Sequence, residues 1–271
     1  MSRGSPIEWC DDTVNPMMGC DGCELWDPAR GLRHCYAGVL TEQRTRAGRV
    51  PGWPARFDQP EIFRGRVAKA ARWPDLTARC RPTKPWLDGW PRLIFVNDMG
   101  DTFTASLPLD WLAPELPRMA ATPHQWLILT KRPDRAAQFA ARHPLPANVW
   151  MGTSLTTSQT RARLRALQRV SARIRFLSIE PWLGAAARLD LTGIAWVILG
   201  GESGPGARPC DLAALRDLLA QCRTAKVAAF VKQLGTVWAR RHGGDTKGGD
   251  WTRWPADLRV RAFPTRLESG P

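Results

Sequence analysis

The sequence has one tyrosine and four histidines, and only 25 acidic residues stand against 39 lysines and arginines. It also lacks a run of about 18 apolar residues, the length needed for a membrane span. No basic stretch followed by an apolar stretch, the pattern of a secretory signal, occurs near the first residue. We therefore expect a cytoplasmic protein that neither spans a membrane nor is secreted.

The shortage of acidic residues gives the chain a formal charge of +14. Such a charge attracts phosphate-rich partners through long-range electrostatics and counterion release, so a nucleic acid or nucleotide is the expected partner. An arginine-rich, lysine-poor composition is also typical of a GC-rich genome, which is the alternative explanation. With 44% hydrophobic and 24% charged residues, the composition is that of a folded globular protein rather than a disordered or fibrous one.

Three of the seven cysteines have the spacing of metal ligands. Cys20, Cys23 and Cys35 form a C-x2-C-x11-C pattern. Two cysteines separated by two residues can bind one metal centre from a tight turn, and Gly19 and Gly22 supply the backbone freedom for that turn. An odd number of cysteines without a signal peptide argues against a disulfide framework. The pattern predicts a metal centre.

Three thiolates leave the identity of the metal open. At a structural zinc ion, His34 or Cys10 would complete the tetrahedral site. At a [4Fe-4S] cluster, three cysteines would leave one iron open to a substrate or cofactor. We favour the iron–sulfur cluster and keep zinc as the alternative.

From about residue 91, short apolar runs alternate with longer amphipathic stretches, the pattern of parallel strands and their covering helices. The predicted strands are Leu93–Asp98, Trp126–Thr130, Val149–Thr153, Ile174–Ile179, Ala195–Gly200 and Ala228–Lys232. The predicted helices are Leu109–Ala121, Arg135–Ala141, Ser158–Val170 and Leu212–Ala225. The predicted fold is α/β, a partial (β/α) barrel of about six parallel strands preceded by the cysteine loop.

At 271 residues the chain can form one large domain, and we predict that residues 1–271 do so. The predicted parts are a cysteine-motif segment 1–40, a basic and aromatic insertion 41–90, the β/α repeats 91–240, and a C-terminal segment 241–271 packed on the barrel.

Each predicted strand ends in polar residues, and ligands of parallel α/β proteins lie at the carboxyl ends of the strands. The residues concerned are Asn97, Asp98, Gly100, Asp101, Lys131, Arg132, Ser154, Glu180, Gly200, Gly201, Glu202 and Lys232. Together they predict a polar binding surface at this end of the sheet. For Glu180, which precedes a proline, capping of loop amides is the structural alternative.

Residues 41–90 differ from the rest because arginines and lysines alternate with aromatic residues. The cations are Arg44, Arg46, Arg49, Arg56, Arg64, Arg66, Lys69, Arg72, Arg79, Arg81 and Lys84, and the rings are Trp53, Phe57, Phe63, Trp73 and Trp86. Cations beside flat rings are used to hold nucleic-acid backbone and bases. A connecting segment whose arginine stems cover apolar surface would have the same composition, so both interpretations stay open.

Several sequence blocks in the same order resemble a family of phage-associated proteins of uncharacterised function with a three-cysteine motif similar to that of radical S-adenosylmethionine (SAM) enzymes. The blocks are 7–9, 14–16, 19–20, 35–37, 96–97, 129–133, 149–152, 176–181, 200–204, 232–233, 254–255 and 258–261. The resemblance implies a radical-SAM-like partial barrel in which Cys20, Cys23 and Cys35 hold the cluster and SAM lies across the strand tips. Tyr36 would lie beside the cluster or the adenine. The resemblance also implies a phage or mobile-element association, and so the cytoplasm of a bacterial host cell as the location.

The resulting functional hypothesis is a radical SAM-like iron–sulfur enzyme that modifies or repairs bases of a nucleic acid or nucleotide, alone or with a separate partner protein. Asp98, Glu180 and Glu202 are its predicted catalytic residues, and Lys131, Arg132 and Lys232 are expected to meet phosphates. The predicted cofactor-binding residues are Tyr36, Asn97, Asp98, Gly100, Asp101, Ser154, Gly200, Gly201 and Glu202.

Two other functions stay open. The first is a zinc-stabilised protein that binds nucleic acid or a partner without redox chemistry. The second is a metal-independent hydrolase that uses Glu180 and Glu202 as an acid/base pair.

Overall fold

The structure is a computed structural model that describes residues 2–182, 188–204 and 206–264. The strands are β1 Ser2–Arg3, β2 Asp12–Val14, β3 Met17–Met18, β4 Trp26–Asp27, β5 Leu32–Arg33, β6 Glu61–Ile62, β7 Leu93–Val96, β8 Gln125–Thr130, β9 Val149–Ser154, β10 Arg175–Ile179, β11 Trp196–Gly200 and β12 Ala228–Gln233. The α-helices are α1 Tyr36–Thr45, α2 Arg66–Ala71, α3 Leu116–Ala120, α4 Pro133–Arg142, α5 Ala162–Gln168, α6 Leu212–Thr224 and α7 Thr236–His242. Short 3-10 helices cover Pro28–Arg30, Pro85–Leu87, Leu109–Glu115, Ser158–Arg161, Trp251–Arg253 and Ala256–Leu258.

The principal sheet has the strand order β1-β2-β7-β8-β9-β10-β11-β12. The ladders β2–β7, β7–β8, β10–β11 and β11–β12 are parallel, whereas β1 joins β2 in the antiparallel direction. Helix α4 connects β8 to β9, α5 connects β9 to β10, and α6 connects β11 to β12. The predicted α/β class with a partial β/α barrel is confirmed, whereas its assignment to the radical-SAM type stays a prediction.

All six predicted strands are present, with ends that differ by at most two residues. The sequence did not reveal β2, because Asp12 and Thr13 are polar although both are buried in the structure. The predicted helix Leu109–Ala121 is a 3-10 helix followed by α3. Pro114 and Pro117 account for this, because proline has no N–H to donate within an α-helix.

The chain divides into two compact units, which are described separately. Unit 1 consists of residues 1–151 and 170–173, and unit 2 of residues 152–169 and 174–271. The predicted single domain over residues 1–271 stays a prediction. Within the described ranges, no helix combines the length and apolar character needed to cross a membrane.

Unit 1 has an apolar core and two buried ion pairs. Trp126 and Phe139 are among its largest fully buried side chains. Arg81 pairs with Asp11 at 2.7 Å, and Arg92 pairs with Asp12; each of these four side chains is at most 8% exposed. These pairs fix the segment before β7 to the start of β2.

Unit 2 is built on three neighbouring aromatic residues in β10, β11 and β12. The rings of Phe176 and Trp196 have centroids 5.7 Å apart, and those of Trp196 and Phe230 are 6.0 Å apart. The C-terminal segment hydrogen-bonds along β12, since Val231 N donates to Val260 O at 2.7 Å. The segment thereby extends the apolar core of unit 2.

Candidate functional site

The cysteine loop of unit 1 is bonded to the loop that follows β7. Gly19 N donates to Met99 O at 3.0 Å, and Gly19 and Gly100 form a parallel bridge. A Cβ atom at Gly100 would lie 2.6 Å from Gly19 O, so this position admits only glycine without displacement of the backbone. The predicted cofactor-binding residue Gly100 therefore lets the two loops approach closely.

Asn97 supports the same junction from the end of β7. Its φ angle is 62°, in the left-handed region that asparagine tolerates better than most residues. Its side chain accepts a hydrogen bond from Met17 N at 3.0 Å and donates one to Thr102 Oγ1 at 2.8 Å. These bonds hold the start of the cysteine loop beside β7.

Asp98 lies between Asn15 and Tyr36. The amide of Asn15 donates to Asp98 Oδ1 at 2.6 Å, while Asn15 Oδ1 accepts from Met99 N at 3.0 Å. The hydroxyl of Tyr36 donates to the backbone carbonyl of Asp98. Tyr36 is 58% exposed, so its ring is available to a ligand at this position. The structure thus brings together two of the predicted site residues, Tyr36 and Asp98.

Asp101 is buried and joins the β7 loop to the end of β8. Its carboxylate accepts hydrogen bonds from Thr130 Oγ1 at 2.6 Å, Lys131 N at 2.8 Å and Phe103 N at 3.0 Å. Arg132 Nη1 lies 3.4 Å from Asp101 Oδ2. Asp101 therefore positions the two consecutive cations Lys131 and Arg132.

Arg132 reaches from the end of β8 into the cysteine loop. Its Nη1 atom lies 3.5 Å from the Sγ atom of Cys20, and its Nη2 atom donates to Gly22 O at 3.0 Å. A third contact, 3.8 Å long, joins Arg132 to Asp21. Sequence analysis predicted that Arg132 binds phosphate; the structure places it against Cys20, one of the predicted metal ligands, and phosphate binding stays a prediction.

Burial and positive charge act in opposite directions on the cysteines. Burial raises the pKa values of the Cys20 and Cys35 thiols, although Arg132 acts to lower the first and Lys131 the second. Burial acts to lower the pKa of Lys131, whereas its anionic neighbours act to raise it and prevail; these are Cys23 and Cys35 in their thiolate forms, together with Glu24 and Asp101. Without a metal the loop therefore favours protonated Cys20 and Cys35 thiols, and metal binding would release protons.

The three thiols share a loop and two neighbouring cations, but they do not form a closed cage for one ion. Within residues 2–182, 188–204 and 206–264, no group of three or more His, Cys, Asp or Glu side chains has an arrangement that could hold a metal ion. Thiolates are ligands of both structural zinc and iron–sulfur clusters, so the donor type of the three cysteines fits either group. Which of the two they hold stays a prediction.

In unit 2, Glu180 at the end of β10 pairs with Lys232 of β12. Lys232 Nζ lies 3.5 Å from Glu180 Oε2, and Ser178 Oγ donates to the same oxygen at 3.3 Å. A Cβ atom at Gly200 would lie 3.3 Å from Glu180 Oε1, so glycine at this position leaves space beside the carboxylate. The structure therefore brings together three residues that the sequence analysis selected.

Glu202 is held by Arg208 rather than exposed to a ligand. The guanidinium donates to both carboxylate oxygens at 2.8 Å, and Arg208 N donates to Oε2 at 2.9 Å. Gly200, Gly201 and Arg208 line one cavity of unit 2 together with Cys210 and Trp182. Ser154 ends β9 and is buried. Catalytic roles for Glu180 and Glu202 stay predictions.

Sequence reasoning gave no role to Asn15, Asp21 or Arg208. Asp21 accepts from Thr104 Oγ1 at 2.6 Å and from Ser106 N at 3.1 Å, so it fixes the C-x2-C turn to the chain after β7. Two sequence features could have indicated the first two residues. Asn15 follows directly after a polar strand, and Asp21 lies between Cys20 and Cys23. No sequence feature indicated Arg208, because local sequence does not show which cation pairs with Glu202.

Replacing Asp98 with asparagine tests whether the burial of its carboxylate is costly. Burial raises the pKa of Asp98 and outweighs the opposing hydrogen bond from Asn15, so folding makes ionisation of this carboxyl less favourable than in the unfolded chain. Wild-type stability should therefore fall as pH rises above about 4, the range where an unfolded aspartate ionises. We expect the Asp98→Asn variant to be more stable than wild type at pH 7 and equal to it below about pH 4.

Urea unfolding at several pH values measures this difference. An advantage of the variant that does not change with pH would contradict the prediction, since only ionisation of the carboxylate makes it pH-dependent.

The fold and the cysteine loop define an α/β partial-barrel protein whose loop carries closely supported thiols. A family model described as a protein of unknown function (DUF5131) matches residues 4–255. The chain belongs to this family, and the predicted membership of an uncharacterised family is confirmed. Comparison with curated proteins and with solved structures gives no match. The phage association and the radical SAM resemblance stay predictions.

Proposed function

We propose that this protein is a radical SAM-like iron–sulfur enzyme that modifies or repairs bases of a nucleic acid or nucleotide. The observation that carries the proposal is the position of Cys20, Cys23 and Cys35 in one loop beside Lys131 and Arg132. This loop is bonded to the carboxyl end of β7, where parallel α/β proteins bind their ligands. The net charge of +14 supports a phosphate-bearing substrate.

In the proposed site, Cys20, Cys23 and Cys35 would hold a [4Fe-4S] cluster. Such a cluster would pass one electron from an external reductant to bound SAM, cleaving it to methionine and a 5'-deoxyadenosyl radical that can abstract hydrogen. Arg132 orients Cys20 and the carbonyl of Gly22, and Lys131 balances the charge of Cys23 and Cys35. Such cations favour thiolates and an anionic centre.

The residues around Asp98 would bind SAM or the substrate. Tyr36 offers an exposed ring for stacking, and Asp98 offers a carboxylate in a fixed orientation through its bond to Asn15. Three residues support this position: Gly100 allows the two loops to approach closely, the Asn97 side chain accepts a hydrogen bond from Met17 N, and the Asp101 side chain accepts one from Lys131 N. In unit 2, Lys232 and Glu180 form a second polar pair that suits substrate binding.

The deciding experiment is anaerobic purification and reconstitution with iron and sulfide. We expect about four irons per chain and the broad absorbance near roughly 400 nm of thiolate-bound iron and sulfide. The variants Cys20→Ser, Cys23→Ser and Cys35→Ser should each lose most of this iron. Cys80→Ser is the matched control, because Cys80 is an exposed cysteine outside the motif.

SAM cleavage by the reduced, reconstituted protein is the second measurement. Reductive cleavage to 5'-deoxyadenosine supports the proposal, and its absence with a full cluster removes the catalytic part. One tight zinc per chain without colour would replace the proposal with the zinc-stabilised binding protein. Hydrolytic activity that survives all three cysteine replacements would point to the metal-independent hydrolase.

A further inference from the structure

Unit 1 carries five exposed cations between residues 44 and 72 that have no acidic partner in the part of the chain that the structure describes. They are Arg44, Arg46, Arg64, Lys69 and Arg72, which we call the basic surface. None forms an ion pair within that part of the chain, whereas the stretch's other exposed arginines, Arg49 and Arg56, do. The positive charge of the basic surface is therefore uncompensated.

The carboxylates of the same stretch are already occupied. The pairs are Glu42 with Arg33, Asp58 with Arg56, and Glu61 with Arg49. Because these acids are committed elsewhere, the field of the basic surface is not neutralised locally. A polyanion that binds there gains the full attraction and releases its counterions.

The chain around the basic surface is held in a fixed conformation by Arg66. Its guanidinium donates to Asn15 O and to Gly52 O, both at 2.7 Å, and lies 4.0 Å from the ring centroid of Phe63. Glu61 adds a bond from Ala55 N at 2.9 Å. Arg66 thus has a structural role, and it ties the turn near residue 52 to the end of β2.

One cation of the basic surface, Arg44, lies beside an aromatic ring. The guanidinium of Arg44 is 5.7 Å from the ring centroid of Trp53, and both Trp53 and Phe63 are only partly buried. Rings next to cations suit bases that are unpaired and can stack, which a duplex does not offer. The six-residue helix α2 is about 9 Å long, too short to read along a major groove.

We propose that the basic surface binds the backbone of a single-stranded nucleic acid, with Trp53 available for a base. This inference rests on the proposed function and specifies its substrate class as a polynucleotide rather than a free nucleotide. The phosphates lie along Arg46, Arg64, Lys69 and Arg72, while the Arg44–Trp53 pair provides the stacking position.

The test is fluorescence anisotropy of metal-free protein with labelled single-stranded DNA and RNA of roughly 20 nucleotides, at several KCl concentrations. The variant R46Q/R64Q/K69Q/R72Q removes four charges. With a slope of about 0.7 per phosphate contact, it should flatten the plot of log Kd against log salt by about 3 and weaken binding at low salt. Circular dichroism confirms that each variant is folded.

The matched control is R165Q/R223Q/R240Q/R241Q, which removes four exposed cations from unit 2. We expect it to retain most of the wild-type salt slope. Equal losses in the two variants would show general attraction by the net charge and overturn the proposal. Absence of single-strand binding, or equal affinity for a duplex of the same sequence, would overturn it as well.

The two proposals fail separately, because this binding needs neither iron nor SAM. Binding that depends on the basic surface, together with a failed cluster assay, would leave a nucleic-acid-binding protein without radical chemistry. If the protein cleaves SAM but does not bind single-stranded nucleic acid, the proposed enzyme function would stand, and free nucleotides or other small molecules would be tested as substrates.

Discussion

Replacing Arg81 with methionine is expected to lower the free energy of unfolding by about 3 to 5 kcal/mol, because it leaves a buried carboxylate without its cation. Arg81 Nε donates to Asp11 Oδ1 at 2.7 Å, and both side chains are 8% exposed. The guanidinium also donates to the carbonyls of Leu87 at 2.7 Å and Trp90 at 2.9 Å. Methionine fills similar space but satisfies none of these acceptors.

Urea unfolding followed by circular dichroism measures this loss as a lower midpoint with an unchanged slope. Arg79→Met is the matched control, since Arg79 is exposed and lies two residues away; its effect should stay within about 0.5 kcal/mol. Equal midpoints for the two variants would show that the buried pair contributes no net stability.

The sequence predicts the strands from β7 onward well because their apolar runs are long enough to be buried on both faces. Val96 and Ile198 are fully buried members of such runs. β2 escapes the same reasoning, since a three-residue strand with Asp12 and Thr13 shows no apolar run. Its polar side chains are tolerated because Arg92, from the segment before β7, pairs with Asp12.

Residues 41–90 show why composition alone left two interpretations open. Arg66, Arg81 and Lys84 have the structural role, since each donates to backbone carbonyls of unit 1. Arg46 and Arg64 are exposed and available to a polyanion. Three-dimensional contacts thus separate the structural arginines of the segment from the exposed ones, and polyanion binding by the exposed ones stays a proposal.

For the candidate site, spacing identified the three cysteines, and strand ends identified the polar residues around them. The sequence did not indicate which of these polar residues hydrogen-bond to other parts of the chain and so hold the loops in place. Asn97 and Asp101 follow a strand and were predicted to bind a cofactor, yet their side chains hydrogen-bond to Met17, Thr130 and other parts of the chain. Partner choice depends on how neighbouring loops meet, which local sequence does not encode.

Arg132 contacts both the residues that hold the loops together and one of the predicted metal ligands. It joins Asp101 of the β7 loop to the Cys20 sulfur and the Gly22 carbonyl of the cysteine loop. A planar guanidinium can donate to these three acceptors together because its N–H groups are held in one plane, whereas a lysine has a single compact charged group. Geometry and charge can therefore be separated by substitution.

The variant Arg132→Gln is expected to lose iron to a chelator at a 10- to 100-fold lower chelator concentration than wild type, the usual effect of removing a residue that orients a metal ligand. Arg132→Lys keeps the positive charge but lacks the planar set of N–H donors. It should lose iron as readily as Arg132→Gln if geometry matters, and it should retain iron nearly as well as wild type if charge alone matters. Arg142→Gln is the matched control, since Arg142 is exposed and pairs with Asp110 at the other end of α4. Thermal unfolding of the metal-free proteins is the second, independent measurement. A lower Tm for Arg132→Gln than for Arg142→Gln would show that the guanidinium holds the cysteine loop in place before any metal binds. Equal Tm values together with equal iron retention would show that Arg132 does not support the cysteines.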